Sequence, residues 1–278
     1  MSRSEVRKTP PHWSEAEDQV RRLCAAPRFG LISDFDGTLS ELTEHPNDAV
    51  ILPDNAAALD ALAQRIAIIA LISGRSAVDL YQRFPRERIV YYGNHGLERW
   101  TPQGVDIVPE AAPWEEPLKA LLREFAAGGL PDPAILIENK GATAAIHYRM
   151  AHDPQAVRTA LETRLAPLVD HFGLQMSEGH LVWEIKPPLA LNKGTTAAAV
   201  VHDHALDSVL FLGDDTTDIS AMKTLRALRE RGAVKTLSIG VIQKKRPLAG
   251  LLEAADLIAH DPHDVADLLH SLAQAAGA

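Results

Sequence analysis

Apolar residues along this chain gather in short runs that stop abruptly at small or acidic residues. Such runs lie at 29–33, 66–72, 88–92 and 209–212, bounded by turn formers and too short for amphipathic helices, so each reads as a buried strand. Between them, residues such as Leu59, Leu62 and Ile66 return at helical spacing. Strands alternating with helices predict an α/β fold, a doubly wound parallel sheet. Further strands at 234–239 and 256–259, with a helix near 265–273, complete the pattern. Ahead of it, residues 1–11 read as disordered. Ser14 and Glu17 then have capping-box spacing, and Trp13, Ala16, Val20 and Leu23 predict a docking helix, so that 1–27 form a tail and a packed helix.

The interval between Ser73 and Lys193 is far longer than one βα connection and predicts an inserted unit. Residues 107–187 read as that insert, an α+β cap of order αββαββ: a helix at 117–126, strands at 135–138 and 143–149 turning at Asn139-Lys-Gly141, a helix at 154–172, then strands at 174–177 and 181–186. In the last strand Leu181, Trp183 and Ile185 share one face, while His180, Val182, Glu184 and Lys186 share the other. That leaves 28–106 and 188–278 as the core.

Composition narrows the function. The 278 residues are 46% hydrophobic, enough for an ordinary buried core, and carry a formal net charge of −9. An acidic chain whose only basic block is Lys244-Lys-Arg246 argues against nucleic acid and anionic membranes as partners. No apolar run approaches the roughly 20 residues of a membrane span, and the polar start has no apolar run behind it. The single cysteine, Cys24, fits a reducing compartment, so the expected location is the cytoplasm. The sequence does not report the oligomeric state, for which a monomer is favoured.

In doubly wound sheets ligands bind beyond the carboxyl ends of the strands, where the four polar endings should meet. The first ending holds Asp34 and Asp36, which leave the strand on the same side. Two acids that close repel unless one is neutral or a cation lies between them, and Gly37 lets the backbone approach a ligand. The last ending, Gly213-Asp214-Asp215-Thr-Thr-Asp218, gathers three acids within five residues, which is costly without a cation. This is the chemistry of a metal-assisted phosphoryl site, and a phosphate dianion there needs local positive charge from a metal ion, a buried lysine or helix amino termini. Taken singly, each motif also reads as a turn or a helix start. His202-x-His204 reads as a solvated helix end, and Trp100, Trp114 and Trp183 as core or junction residues.

Taken in order, Asp34-Phe-Asp-Gly-Thr38, Ser73, Lys193 and Gly213-Asp-Asp-Thr-Thr-Asp218 resemble the four motifs of haloacid-dehalogenase-type phosphatases. Ser73-Gly-Arg75, Gly93-Asn-His-Gly96, Glu138-x-Lys140, His147-x-Arg149 and Glu184-Ile-Lys-Pro187 resemble, within them, the trehalose-6-phosphate phosphatases. The resemblance implies a HAD-like core with a mobile lid. It also implies hydrolysis of trehalose 6-phosphate through an aspartyl-phosphate on Asp34, with Asp36 as general acid and base. Mg²⁺ would be held by Asp34, the Asp36 backbone carbonyl and Asp214, with Asp218 orienting a bound water. Ser73 and Lys193 would hold the transferring oxygens. Thr38, Gly74, Arg75, Asn94, His95, Glu138, Lys140, Arg149, His180 and Glu184 would bind substrate. Three departures bear on the sugar: Gly179-His180 stands where the family has Gly-Lys, Pro188-Leu-Ala-Leu-Asn192 replaces a basic loop, and Ile219-Ser220 replaces an acidic pair. Another glycoside phosphate, such as glucosylglycerate or sucrose phosphate, and a non-catalytic phosphosugar sensor are the alternatives.

Overall fold

The computed structural model describes residues 9–43, 45–179, 181–242 and 248–276, and within these the chain forms two compact units. The first runs up to Val105 and resumes at Leu191, and the second is Asp106–Ala190. The tail before residue 9, the basic triplet at 244–246 and His180 lie outside the described residues.

In chain order the first unit begins with α1 (Glu17–Cys24), β1 (Phe29–Ser33), α2 (Pro53–Leu62), β2 (Ile68–Ile72), α3 (Ala77–Arg83), β3 (Ile89–Gly93), β4 (Glu98–Thr101) and β5 (Gly104–Ile107). The second unit supplies α4 (Glu115–Ala127), β6 (Leu136–Asn139), β7 (Ala144–His147), α5 (Pro154–His171), β8 (Gln175–Gly179) and β9 (Val182–Lys186). The chain then returns through α6 (Lys193–Asp203), β10 (Ser208–Gly213), α7 (Asp218–Glu230), β11 (Lys235–Val241), α8 (Ala249–Ala254), β12 (Leu257–Ala259) and α9 (Pro262–Ala275).

The first unit is built on a sheet of order β12-β11-β10-β1-β2-β3-β4-β5. From β12 to β3 every neighbouring pair is parallel, and β4 reverses direction against β3. Because successive side chains of a strand point to opposite faces, a wholly apolar strand must be covered on both. Leu31, Leu210 and Leu212 pack with α1, α2 and α9 on one side, and Ile32, Val209 and Phe211 with α6, α7 and α8 on the other. The result is the doubly wound α/β arrangement. Chain order turns back between β1 and β10, which opens a crevice at their carboxyl ends.

Three local readings need correction. The antiparallel extension β4–β5 was not anticipated, although Thr101-Pro-Gln-Gly104 is a turn between two alternating segments. The capping box belongs to His12 and Glu15, not to Ser14 and Glu17. His12 N–H donates to Glu15 Oε1 (3.1 Å) and Ser14 N–H to His12 Nδ1 (3.3 Å), because a short 3₁₀ turn at Trp13–Ala16 precedes α1. Leu181 is not part of its strand: its φ of 59° places it in the turn before β9.

The second unit is an antiparallel sheet of order β6-β7-β9-β8 with α4 and α5 packed on one face. Ile146, Trp183 and Ile185 point into that packing with Leu118, Leu121, Leu161 and Leu165. The opposite face carries Glu138, His147, Glu184 and Lys186.

Candidate active site

β1 and β10 run in register to their carboxyl ends, Ser33 opposite Leu212, and the Asp34 amide donates to the Leu212 carbonyl at 2.9 Å. This pairing sets Asp34 and Asp214, the residues that leave the two strands, side by side. Backbone reversal at Gly37, with φ of 76°, turns the chain back beneath them. A Cβ there would overlap the Asp214 carboxylate, so only glycine permits the approach. Gly213 is constrained in a like way, since a side chain would run into Asp218.

Lys193 opens α6, where Asn192 caps the helix by accepting from the Gly194 and Thr195 amides. Its ammonium is 2% exposed and reaches two acids, Asp34 Oδ2 at 2.9 Å and Asp218 Oδ1 at 2.8 Å. Asp218 is itself fully buried, and its other oxygen accepts the amides of Asp214 and Asp215 at 3.1 and 2.9 Å. One carboxylate thus fixes both the lysine and the loop carrying Asp214. Thr38 Oγ1 donates to Asp214 Oδ1 at 3.4 Å, so this residue, expected on the substrate, braces the acid cluster.

Oxygen atoms of Asp34, Asp214 and Asp218 all lie within 4.8 Å of one another. Burial, opposed by Lys193 and reinforced by Asp218 and Asp36, pushes the Asp34 carboxyl up to about 8. Burial also lifts Asp214 well above the usual carboxylate range, with Asp34 and Asp218 adding to the rise. For Lys193 burial acts toward loss of the proton, but Asp218 and Asp34 outweigh it and hold the ammonium charged. Three ionised acids around one ammonium leave two negative charges, and the donors are all oxygens. A hard divalent cation matches both the charge and the donor set. The Asp36 side chain is not in this group.

Asp36 instead faces Arg75, which donates from Nε to Oδ2 at 2.7 Å and from Nη2 to Oδ1 at 2.6 Å. Arg75 also pairs with Asp79 at 2.8 Å, and Asp79 with Arg83 at 3.0 Å, so a chain of charges runs up α3 from the site. Arg75 was expected to bind substrate; the structure places it on the acid. Asp79 and Arg83 were missed, although Arg75, Asp79 and Arg83 have the i, i+4, i+8 spacing of one helix face.

Ser73 follows β2, is 1% exposed, and its Oγ accepts the Arg75 amide at 3.2 Å. The turn that carries it rests on the loop after β3. There the Asn94 amide donates to the Arg75 carbonyl at 2.8 Å and the His95 amide to the Ser73 carbonyl at 2.9 Å. Asn94 and His95 both have left-handed φ, 49° and 59°, and the His95 carbonyl accepts from Thr196 Oγ1 of α6 at 3.2 Å. Their backbones therefore brace the turn of Ser73, Gly74 and Arg75. Trp100 stacks on Tyr81 with centroids 3.5 Å apart, and Trp114 and Trp183 pack in the second unit.

On the second unit, Glu138 is in register with Ala145, and Ala145 with Glu184. Two acids therefore stand on one face with a small residue between them, about 10 Å apart at strand spacing. Lys140 Nζ and His147 Nε2 lie 3.7 and 3.3 Å from Glu138 Oε2, and Arg149 follows β7.

Known proteins resemble this chain over most of its length. The family profile described as trehalose-phosphatase matches residues 32–248. A trehalose-phosphate phosphatase of Mycobacterium marinum is 34% identical over 232 residues, 78% of this chain and 57% of the relative. One of Mycobacterium tuberculosis is 33% identical over 80% of this chain and 59% of its own. The chain thus spans a little under three fifths of the length of these curated relatives. Among solved structures, the C-terminal domain of a Candida albicans trehalose-6-phosphate phosphatase aligns with a TM-score of 0.75 at 20% identity, covering 97% of this chain and 99% of that one. A trehalose-6-phosphate phosphatase related protein aligns at 0.73 and 17% identity, over 88% and 97%. The solved structures share the fold, and the profile and the sequence relatives carry the assignment: this chain belongs to the trehalose-phosphatase family.

Proposed function

We propose that this chain is a phosphatase that hydrolyses trehalose 6-phosphate to trehalose and phosphate. The observation that carries the reading is the buried cluster of Asp34, Asp214 and Asp218, with Lys193 paired to Asp34 and Asp218. Its relatives' names supply the substrate. Asp34, the Asp36 backbone carbonyl and Asp214 would hold Mg²⁺ and Asp218 would orient a bound water; the ion when bound cancels the excess negative charge and lets a phosphate dianion approach the acids.

An Asp34 carboxylate oxygen attacks phosphorus and the bond from phosphorus to the sugar oxygen breaks, giving an aspartyl-phosphate. Asp36 gives its proton to the departing oxygen and then takes one from the water that releases phosphate. A carboxylate paired with a guanidinium is no proton donor, so the Arg75 pair must open during turnover. Lys193 and the Ser73 hydroxyl stabilise the charge on the transferring oxygens. On the second unit, Glu138, Lys140, Arg149, Glu184 and His180 would hydrogen-bond the sugar hydroxyls, with charged groups giving oriented bonds.

Phosphate release across a panel of trehalose 6-phosphate, sucrose phosphate and glucosylglycerate phosphate, with Mg²⁺ and with chelator, tests the reading. Trehalose 6-phosphate should turn over fastest, with Asp34→Asn inactive on every ester. Fast release from another ester and none from trehalose 6-phosphate would move the substrate within the same chemistry. Ligand-induced thermal stabilisation without turnover of any ester would replace the enzyme with a sensor.

A further inference from the structure

A second group of metal-ligating side chains lies away from the acid cluster. The Ile258 amide donates to the Pro11 carbonyl at 3.0 Å, and His12 bridges to Ile258 beside β12, which brings the segment ahead of α1 against the start of α9. There His12 Nε2 lies 2.6 Å from Asp264 Oδ2, and the His260 ring lies parallel to that of His12, with centroids 4.7 Å apart and planes at 16°. Ligand atoms of His12, His260 and Asp264 fall within 4.8 Å of one another.

The groups behind these three side chains are arranged as supports. Trp13 Nε1 donates to Asp264 Oδ1 at 2.7 Å and the His260 amide to Oδ2 at 2.7 Å, so the carboxylate is fixed in orientation. His12 Nδ1 accepts the Ser14 amide at 3.3 Å and lies 2.8 Å from Ser14 Oγ, which leaves the ring proton on Nε2, facing Asp264. Helix capping does not explain Asp264, because Asp261 caps α9 and accepts the amides of His263 and Asp264. A structural ion pair needs one imidazole. A second, exposed one with a ring nitrogen within 4.8 Å of the other two ligand atoms adds a third donor reached from solvent.

We infer that His12, His260 and Asp264 form a second metal site, one for a borderline transition-metal dication such as Zn²⁺, completed by water. Two imidazole nitrogens and one carboxylate oxygen suit zinc, nickel or copper, whereas Mg²⁺ prefers the all-oxygen cluster. On binding, the proton between His12 Nε2 and Asp264 Oδ2 leaves to solvent and the ion takes its place. The bound ion would pin the segment ahead of α1 to α9.

Calorimetric titration of the whole chain with ZnCl₂, in excess Mg²⁺, tests this, with His260→Ala and Asp214→Asn as variants. The wild type should bind one more Zn²⁺ than His260→Ala, or bind it at least ~10-fold more tightly. Asp214→Asn should keep that site. Zinc should raise the unfolding midpoint of the wild type and leave that of His260→Ala unmoved. Bound Cu²⁺ should show two imidazole nitrogens by electron paramagnetic resonance, falling to one in His260→Ala. Equal zinc binding by wild type and His260→Ala, or loss of the site in Asp214→Asn, would overturn the assignment and leave a His12–Asp264 ion pair.

Discussion

Arg75 grips both carboxylate oxygens of Asp36, at 2.7 and 2.6 Å, from the turn that also carries Ser73. The pair joins the ends of β1 and β2, which are neighbours in the sheet. Arg75→Met should therefore misplace Asp36 and lower kcat by about 10- to 100-fold, within the range that a general acid contributes. Arg75→Lys should fall between the two, because an ammonium cannot hold two oxygens with the same fork. Steady-state phosphate release measures both. Unchanged kcat in Arg75→Met would remove Arg75 from the positioning of Asp36.

The acid cluster is overcharged when all its members are ionised, and Asp214 is the member with no contact to Lys193 among the described pairs. Asp214→Asn should raise the unfolding midpoint of the metal-free protein, because on folding the acid must either take up a proton or bury a charge and the amide does neither. Mg²⁺ should raise the midpoint of the wild type and leave that of this variant unmoved. Thermal unfolding with and without chelator reads both effects.

At Gly37, a left-handed backbone and the Asp214 carboxylate together forbid a side chain. Gly37→Ala should cost roughly 1–3 kcal/mol in urea unfolding, the usual range for a strained backbone position. Turnover should fall further than stability, since the displaced group is Asp214. A variant of wild-type stability and turnover would mean that the loop adjusts freely.

Asp79 sits between two arginines. Burial works against its charge, but hydrogen bonds from Arg83 and Arg75 win and hold its carboxyl below the ordinary 3.8. A depressed acid contributes stability that is present above the unfolded value and is lost as pH falls through the folded one. The stability gap between wild type and Asp79→Asn should thus be widest near neutral pH and close as pH drops below about 4. Urea midpoints at pH 7 and pH 3.5 measure it, and a gap that widened in acid would reverse the sign.

Much of the arrangement was legible in the sequence because burial on both faces leaves a plain signature. β1, β2 and β10 are unbroken apolar runs, and each stops where a polar group meets the crevice. The acids could be grouped by charge, since so many carboxylates need a cation, whereas Lys193 joined them only through the motif order of the family that the chain resembles. Side-chain pairing was less visible. Whether Arg75 meets a ligand or Asp36 depends on how the ends of two neighbouring strands are staggered, and Thr38 and Asp214 meet only after the sheet forms. Capping was misread at Ser14 because it depends on backbone angles that His12 adopts and spacing does not report. The grouping of His12 with His260 and Asp264 joins opposite ends of the chain and leaves no local pattern.

The pairing of β1 with β10 also has a temporal meaning. During synthesis the Asp34 segment emerges early, but the strand beside it is translated only after the whole second unit. Its backbone partner on that side arrives with residues 208–212, so the nascent protein must carry an apolar, half-paired β1 through most of elongation. Chaperone demand should concentrate in that window, and a ribosome stalled before residue 208 would display Asp34 on an unfinished sheet.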